Sequence, residues 1–289
     1  MLNRPAVHLL LLIAAVALIT ACGTTTPPDQ GNTGYAERMA REHANDAPVE
    51  GAAAMKTGDA TAQVTTREVT YATIDGAPIK GYLAEPAEPS DAALIVIHEW
   101  WGLNDNIRVM TEKLAGLGYT ALAVDMYGGR VAATPDEARA LMTETMKAPD
   151  QGQENIRQAH AWLTDEGGAA RVGSIGWCFG GGWSLQTALM GRSEATVIYY
   201  GRLVTEQDKL KDLNAPILGI FGSEDKGIPV DSVKAFEASL KALNKPHTIQ
   251  IYEGANHAFA NPSGTRYDAE AARDAWARTE AFLEEHLKR

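Results

Sequence analysis

Beyond about residue 64, two textures of hydrophobic pattern alternate along the chain. Ala92–His98 and Thr120–Val124 are continuous apolar runs, as expected of strands buried on both faces. Val172–Ile175, Ala195–Tyr200, Ile217–Phe221 and His247–Tyr252 read as further strands. Between them, apolar residues recur every three or four positions in Asn106–Leu117, Pro135–Lys147, Gln153–Leu163, Val230–Leu243 and Ala269–Leu287, which predicts helices. Val69–Ala72 and Ile79–Ala84, joined through Asp75-Gly76, predict a hairpin. Strands alternating with helices of this length imply an α/β fold, with a mostly parallel central sheet and helices on both faces. Functional side chains in such sheets gather at the carboxyl ends of the strands.

The first 63 residues have a different texture. Arg4 precedes an apolar stretch from Ala6 to Ile19, shorter than the ~20 residues of a membrane span and suited to a signal-peptide core. Leu18-Ile19-Thr20-Ala21-Cys22 resembles a bacterial lipoprotein box. The expectation is a signal peptide over residues 1–21, acylation of Cys22, and export to the periplasmic or cell-surface face of a bacterial membrane. Residues 22–63 are rich in Thr, Gly, Ala, Pro, Asn and Asp, so they read as a flexible tether, with room for a short helix around Tyr35 to His43. A globular domain is expected over residues 64–289.

Composition narrows the partners. The net charge of −11, with no block of Lys or Arg, argues against nucleic-acid binding. Two cysteines, one of them the expected lipid site, exclude a disulfide scaffold and leave Cys178 as a lone thiol. With no second free cysteine to resolve an oxidised thiol, a redox sensor ranks last.

Cys178 sits in Gly176-Trp177-Cys178-Phe179-Gly180, directly after a predicted strand. This is the pattern of a nucleophile elbow with a thiol in place of the usual serine. A helix starting just after the thiol lowers its pKa, and an imidazole lowers it further. His257 lies in the loop between the last strand and the last helix, and His98 ends a buried strand. Asp225 falls between nucleophile and histidine, matching the nucleophile–acid–histidine order; Glu224 competes with it, and Asp231 opens a helix. Glu99 ends the strand 92–98, where an unpaired acid is costly.

His98-Glu99-Trp100-Trp101-Gly102, Gly-Trp-Cys178-Phe-Gly-Gly, Gly-Ser-Glu-Asp225 with Pro229, and Asn-His257-Ala-Phe together resemble the dienelactone hydrolase family over about residues 64–289. The resemblance implies an α/β-hydrolase fold, no metal or other cofactor, and hydrolysis of a small-molecule ester or lactone through an acyl-enzyme. Carried over by position, it makes Cys178 the nucleophile, His257 the base and then the acid, and Asp225 its orienter. It makes Glu99 a modulator of the thiol, and it puts the oxyanion hole at the N–H groups of Trp100 and Phe179. Where dienelactone-cleaving relatives hold the substrate carboxylate with an arginine one turn past the histidine, this chain has Asn261. Arg202 and Arg139 are the candidate replacements, and Trp101 a candidate pocket wall. A broader carboxylesterase or thioesterase, or a non-catalytic binding lipoprotein on the same scaffold, remain the alternatives. A monomer is the favoured oligomeric state.

Overall fold

The computed structural model describes Met1, residues 32–46 and residues 63–288. The expected signal peptide and Cys22 lie outside the described residues. No helix of the described residues is long and apolar enough to cross a membrane.

The apolar runs become the middle of one eight-stranded sheet. In chain order the strands are β1 (Val64–Ile74), β2 (Ala77–Pro86), β3 (Ala92–Ile97), β4 (Thr120–Val124), β5 (Arg171–Trp177), β6 (Thr196–Tyr199), β7 (Ile217–Gly222) and β8 (His247–Tyr252). Their order across the sheet is β1-β2-β4-β3-β5-β6-β7-β8. β1 and β2 pair antiparallel through a turn at Asp75-Gly76, both at positive φ, and β2 pairs antiparallel with β4; every other pairing is parallel. Every residue of β3, β4 and β7 is buried, which is why these strands show no alternation in the sequence. The edge strands β1 and β8 are largely exposed or half-buried.

The helices are α1 (Asn32–Glu42), α2 (Asp105–Gly116), α3 (Pro135–Lys147), α4 (Pro149–Asp165), α5 (Phe179–Leu189), α6 (Gln207–Leu210), α7 (Val230–Ala242) and α8 (Ala269–Leu287). Local chemistry sets their starts. The Asn104 side chain accepts from Ile107 N–H, and Thr134 caps α3 ahead of Pro135. Asp268 accepts from the N–H groups of Glu270 and Ala271 at the start of α8. Helix α4 begins four residues earlier than its apolar spacing predicts because Pro149 supplies a ready first turn.

The sheet order reverses at β3, whose chain neighbour β4 lies on one side and β5 on the other. Glu99 follows β3 and Cys178 follows β5, so two of the sequence candidates emerge side by side at this switch point.

The tether expectation needs correction for residues 32–46. Tyr35, Ala36, Met39 and His43 are buried against the domain, at 6% exposure or less. Tyr35, Met39 and His43 recur every four residues, so α1 presents them on one face. Polar composition argued for a tether, but this single face is enough to dock the helix.

Candidate active site

Strand β5 and helix α5 cross so closely that only glycine fits between them. A Cβ on Gly176 would lie 2.1 Å from the Gly180 carbonyl oxygen, and one on Gly180 would lie 2.2 Å from that of Ile97. Cys178 occupies the apex with φ 55° and ψ −115°, a strained setting for a side chain that has a Cβ. The elbow predicted from Gly-x-Cys-x-Gly is therefore present, and Cys178 is the N-terminal flanking residue of α5.

His257 Nδ1 lies 2.7 Å from Asp225 Oδ2, and both side chains are fully buried. The other carboxylate oxygen, Oδ1, accepts from Gly227 N–H and Ile228 N–H, each at 2.8 Å. Glu224 is exposed, as is Asp231, so the choice among the three acids falls to Asp225. His98 is buried with Nδ1 2.6 Å from the Glu99 carbonyl, while its Nε2 accepts from Met126 N–H. It braces the β3 and β4 ends against each other.

Electrostatics follow from this packing. Burial pushes the Cys178 thiol up, but His257 and then His43 more than reverse that and bring it from 9.0 to about 6. Burial disfavours charge on His257, yet Asp225 and the Cys178 thiolate raise it well above its usual value. Asp225, which burial alone would raise, is held low by His257 and its two backbone donors. Burial and the nearby Cys178 charge raise Glu99 to about 7. Asn261 Nδ2 donates to Glu99 Oε2 at 2.6 Å and opposes that rise. The residue standing where an arginine was expected is thus occupied in orienting the glutamate.

Among the described residues, no backbone carbonyl takes the N–H of Trp100 or Phe179, the two expected oxyanion donors. Among the buried polar atoms without a hydrogen-bond partner are Trp100 Nε1 and the hydroxyls of Tyr35, Tyr127 and Tyr200. The three tyrosines each feel the Cys178 charge, so they sit around the thiol. Buried donors left unpaired cost about 1–3 kcal/mol each, which marks a place built for a polar guest.

A cavity of about 480 Å³ adjoins the elbow helix, with Tyr35, Phe179, Trp183, Gln186, Arg202 and Lys209 in its wall. Arg202 is thus in the wall of a cavity next to the elbow helix, although neither Cys178 nor His257 lines that cavity. Arg139 does not line it: it is on the exposed face of α3, 3.2 Å from Asp136. Its position in the first turns of a surface helix, with an acid three residues before it, keeps it in solvent. Trp101 is buried and borders a small hollow with Glu99, His43 and Asn261.

A scan of family descriptions matches residues 79–287 to "Dienelactone hydrolase family". The chain belongs to the dienelactone hydrolase family. A "Putative carboxymethylenebutenolidase" of Saccharolobus solfataricus is 32% identical over 246 residues, covering 72% of this chain and 95% of that protein. The crystal structure of a "Putative Dienelactone Hydrolase" from Klebsiella pneumoniae subsp. pneumoniae superposes with a TM-score of 0.68 at 28% identity, covering 77% of this chain and 99% of that one. A dienelactone hydrolase-like promiscuous phosphotriesterase from metagenomic libraries shares the fold, with a TM-score of 0.70 at 23% identity over 77% of this chain and 98% of that one. Membership in this family makes the protein a hydrolase of the α/β-hydrolase type.

Sequence reasoning missed His43, which lies against the same thiol, and Asp46 and Arg266, which contact His43. A ring nitrogen of His43, one of His257 and Cys178 Sγ lie within 4.8 Å of one another. Among the described residues these form the one such cluster close enough to share a metal ion, and they are also the groups of the nucleophilic centre. The available signal was the four-residue recurrence of Tyr35, Met39 and His43 in a segment otherwise too polar to pack.

Proposed function

We propose that this dienelactone hydrolase family member cleaves small carboxylic esters or lactones through a cysteine acyl-enzyme. The observation that carries the reading is the alignment of Asp225, His257 and Cys178 at a strained elbow beside two unengaged N–H groups. In the proposed cycle the Cys178 thiolate attacks the carbonyl carbon. A C–S bond forms, and the π electrons move to an oxygen facing Trp100 N–H and Phe179 N–H. One such donor contributes about 3 kcal/mol in the transition state. The intermediate collapses, the C–O bond breaks, and the His257 imidazolium gives its proton to the leaving oxygen. His257 then takes a proton from water as that water attacks the thioester. The acid departs and the thiol is restored.

Arg202, in the wall of the cavity beside the elbow helix, supports an acyl group that carries a carboxylate, which is the character of dienelactone; Lys209 in the same wall is paired with Glu206. Phe179 and Trp183 supply the apolar side of the same cavity. The curated relatives named for carboxymethylenebutenolide cleavage support that substrate class. Asn261, which is engaged with Glu99, favours the broader carboxylesterase or thioesterase reading, because it leaves one expected carboxylate anchor absent. The lipoprotein box supports export and anchoring through acylated Cys22, which mass measurement of the membrane-extracted N-terminus tests. The function itself is tested by following ultraviolet loss of dienelactone, and release of p-nitrophenol from neutral esters, beside Cys178→Ala. Turnover of either class that vanishes in the variant supports the reading. Turnover retained in Cys178→Ala refutes the cysteine mechanism, and no turnover of either class refutes the reading and favours the binding-protein alternative.

A further inference from the structure

Helix α1 ends on a second histidine–carboxylate pair aimed at the nucleophile. His43 Nε2 is 3.9 Å from Cys178 Sγ, while its Nδ1 lies 2.5 Å from Asp46 Oδ2. The ring stacks on Trp100 at 4.3 Å and meets the His257 ring edge-on at 5.1 Å. One face of the thiol thus sees His257 held by Asp225, and another sees His43 held by Asp46. Met39 completes the cover, with its sulfur 4.0 Å from Cys178 Sγ.

The docking is polar and specific as well as apolar. Arg266, in the loop that carries His257, donates to Asp46 at 2.8 Å and to the Glu42 carbonyl; its Nε donates to the His257 carbonyl at 2.8 Å. One guanidinium therefore ties the segment bearing His43 to the segment bearing His257. The Asp225 loop accommodates the helix too, since a Cβ on Gly227 would lie 1.9 Å from Met39 Cε.

We infer that His43, oriented by Asp46 and tied in by Arg266, is a second imidazole partner of the Cys178 thiol, delivered to the site by α1. The inference rests on the proposed cysteine mechanism and adds a group to it. The step is a proton transfer alone: Cys178 Sγ–H gives its proton to imidazole nitrogen and the sulfur keeps the electron pair. An imidazolium at either histidine then faces the thiolate, so the thiol stays ionised. The other titratable groups facing the thiol are Asp225 beside His257, Glu99 at the β3 end, and the hydroxyls of Tyr35, Tyr127 and Tyr200. Glu99 and the tyrosines oppose thiolate formation once they are charged, and His43 and His257 favour it. His43 itself is raised despite its burial, by Asp46 and then by the thiol.

The test is thiolate absorbance near 240 nm against pH in the full chain, with Cys178→Ser as the blank that removes the Cys22 contribution. His43→Gln and His43→Phe are compared with wild type; the phenyl ring retains the stacking surface on Trp100 and lacks only the nitrogens. The expected result is that both variants move the midpoint up by about one pH unit, which leaves about fivefold less thiolate at pH 6. Asp46→Asn is expected to move it the same way by less. An unchanged midpoint in both His43 variants overturns the inference, as does a shift in His43→Gln that His43→Phe does not share. His257→Gln, titrated beside them, separates the two claims. A midpoint moved by His257→Gln and not by the His43 variants sinks the role of His43 alone. A midpoint moved by neither histidine sinks the cysteine mechanism with it.

Discussion

Asp225→Asn should disable the centre while leaving its shape intact. Asp225 Oδ1 accepts two backbone N–H groups, from Gly227 and Ile228. An asparagine must therefore place its oxygen there and turn its NH₂ toward His257 Nδ1. That ring nitrogen then faces a donor, so it keeps its lone pair, and the proton sits on Nε2. An imidazole in that tautomer cannot take the proton of the thiol. Cys178 at about 6 instead of 9.0 represents about 4 kcal/mol of thiolate stabilisation, at about 1.36 kcal/mol per pH unit. His257 is the largest source of that lowering and His43 the next. Loss of the His257 share should move the thiol midpoint up, and a rise of about two pH units would cut the thiolate population at pH 7 by about tenfold. Failure to protonate the leaving group removes about another 10²-fold or more. The expected fall in kcat/KM is about 10³-fold, or ~4 kcal/mol. The assay is p-nitrophenyl ester hydrolysis from pH 5 to 9, paired with thiolate absorbance and a thermal melt as the folding control. A folded variant that loses less than tenfold in kcat/KM, with an unmoved thiol midpoint, would refute the reasoning.

Glu99, raised to about 7, is still largely protonated where the thiol ionises near 6, so Glu99→Gln should leave the thiol midpoint nearly unchanged in thiolate absorbance against pH. A midpoint that falls well below 6 in that variant would mean that Glu99 is already charged when the thiol ionises and would refute this order of titration. Arg202→Met should raise KM several-fold for esters whose acyl group carries a carboxylate and leave neutral esters unaffected. Arg139→Ala, on the exposed α3 surface, should change neither; equal effects of the two substitutions would discard the cavity assignment. Leu94→Ala, at a fully buried position of β3, should lower unfolding free energy by about 2–5 kcal/mol in urea titration. A loss below 1 kcal/mol there would mean that the sheet centre is not packed as described.

Much of the architecture was legible because each signal is local. A strand buried on both faces must be apolar throughout, as in β3, β4 and β7. A strand that turns sharply into a helix must have glycines around the apex, as at Gly176 and Gly180. These constraints act over a few neighbouring residues, so the fold class, the elbow and the chain order Cys178–Asp225–His257 can be read directly from the sequence.

Partnerships between distant segments are set by three-dimensional packing, and these only the tertiary structure decided. Asp225 and Glu224 are equal in composition, and burial beside His257 separates them. Asn261 read as a missing arginine until it was found donating to Glu99, 162 residues earlier. Arg202 was the better placed of the two candidate arginines by sequence, after Tyr199-Tyr200-Gly201, but only packing showed that it lines a cavity while Arg139 faces solvent. The largest surprise was residues 32–46, whose polar composition argues for a tether. Three side chains at four-residue spacing, with Arg266 as a polar clamp, dock them on a thiol 135 residues away along the chain. Sequence alone determined which elements form, because helix and strand periodicity is written in adjacent side chains. Their mutual placement decided which groups meet, because burial and charge pairing depend on neighbours that the linear order keeps far apart.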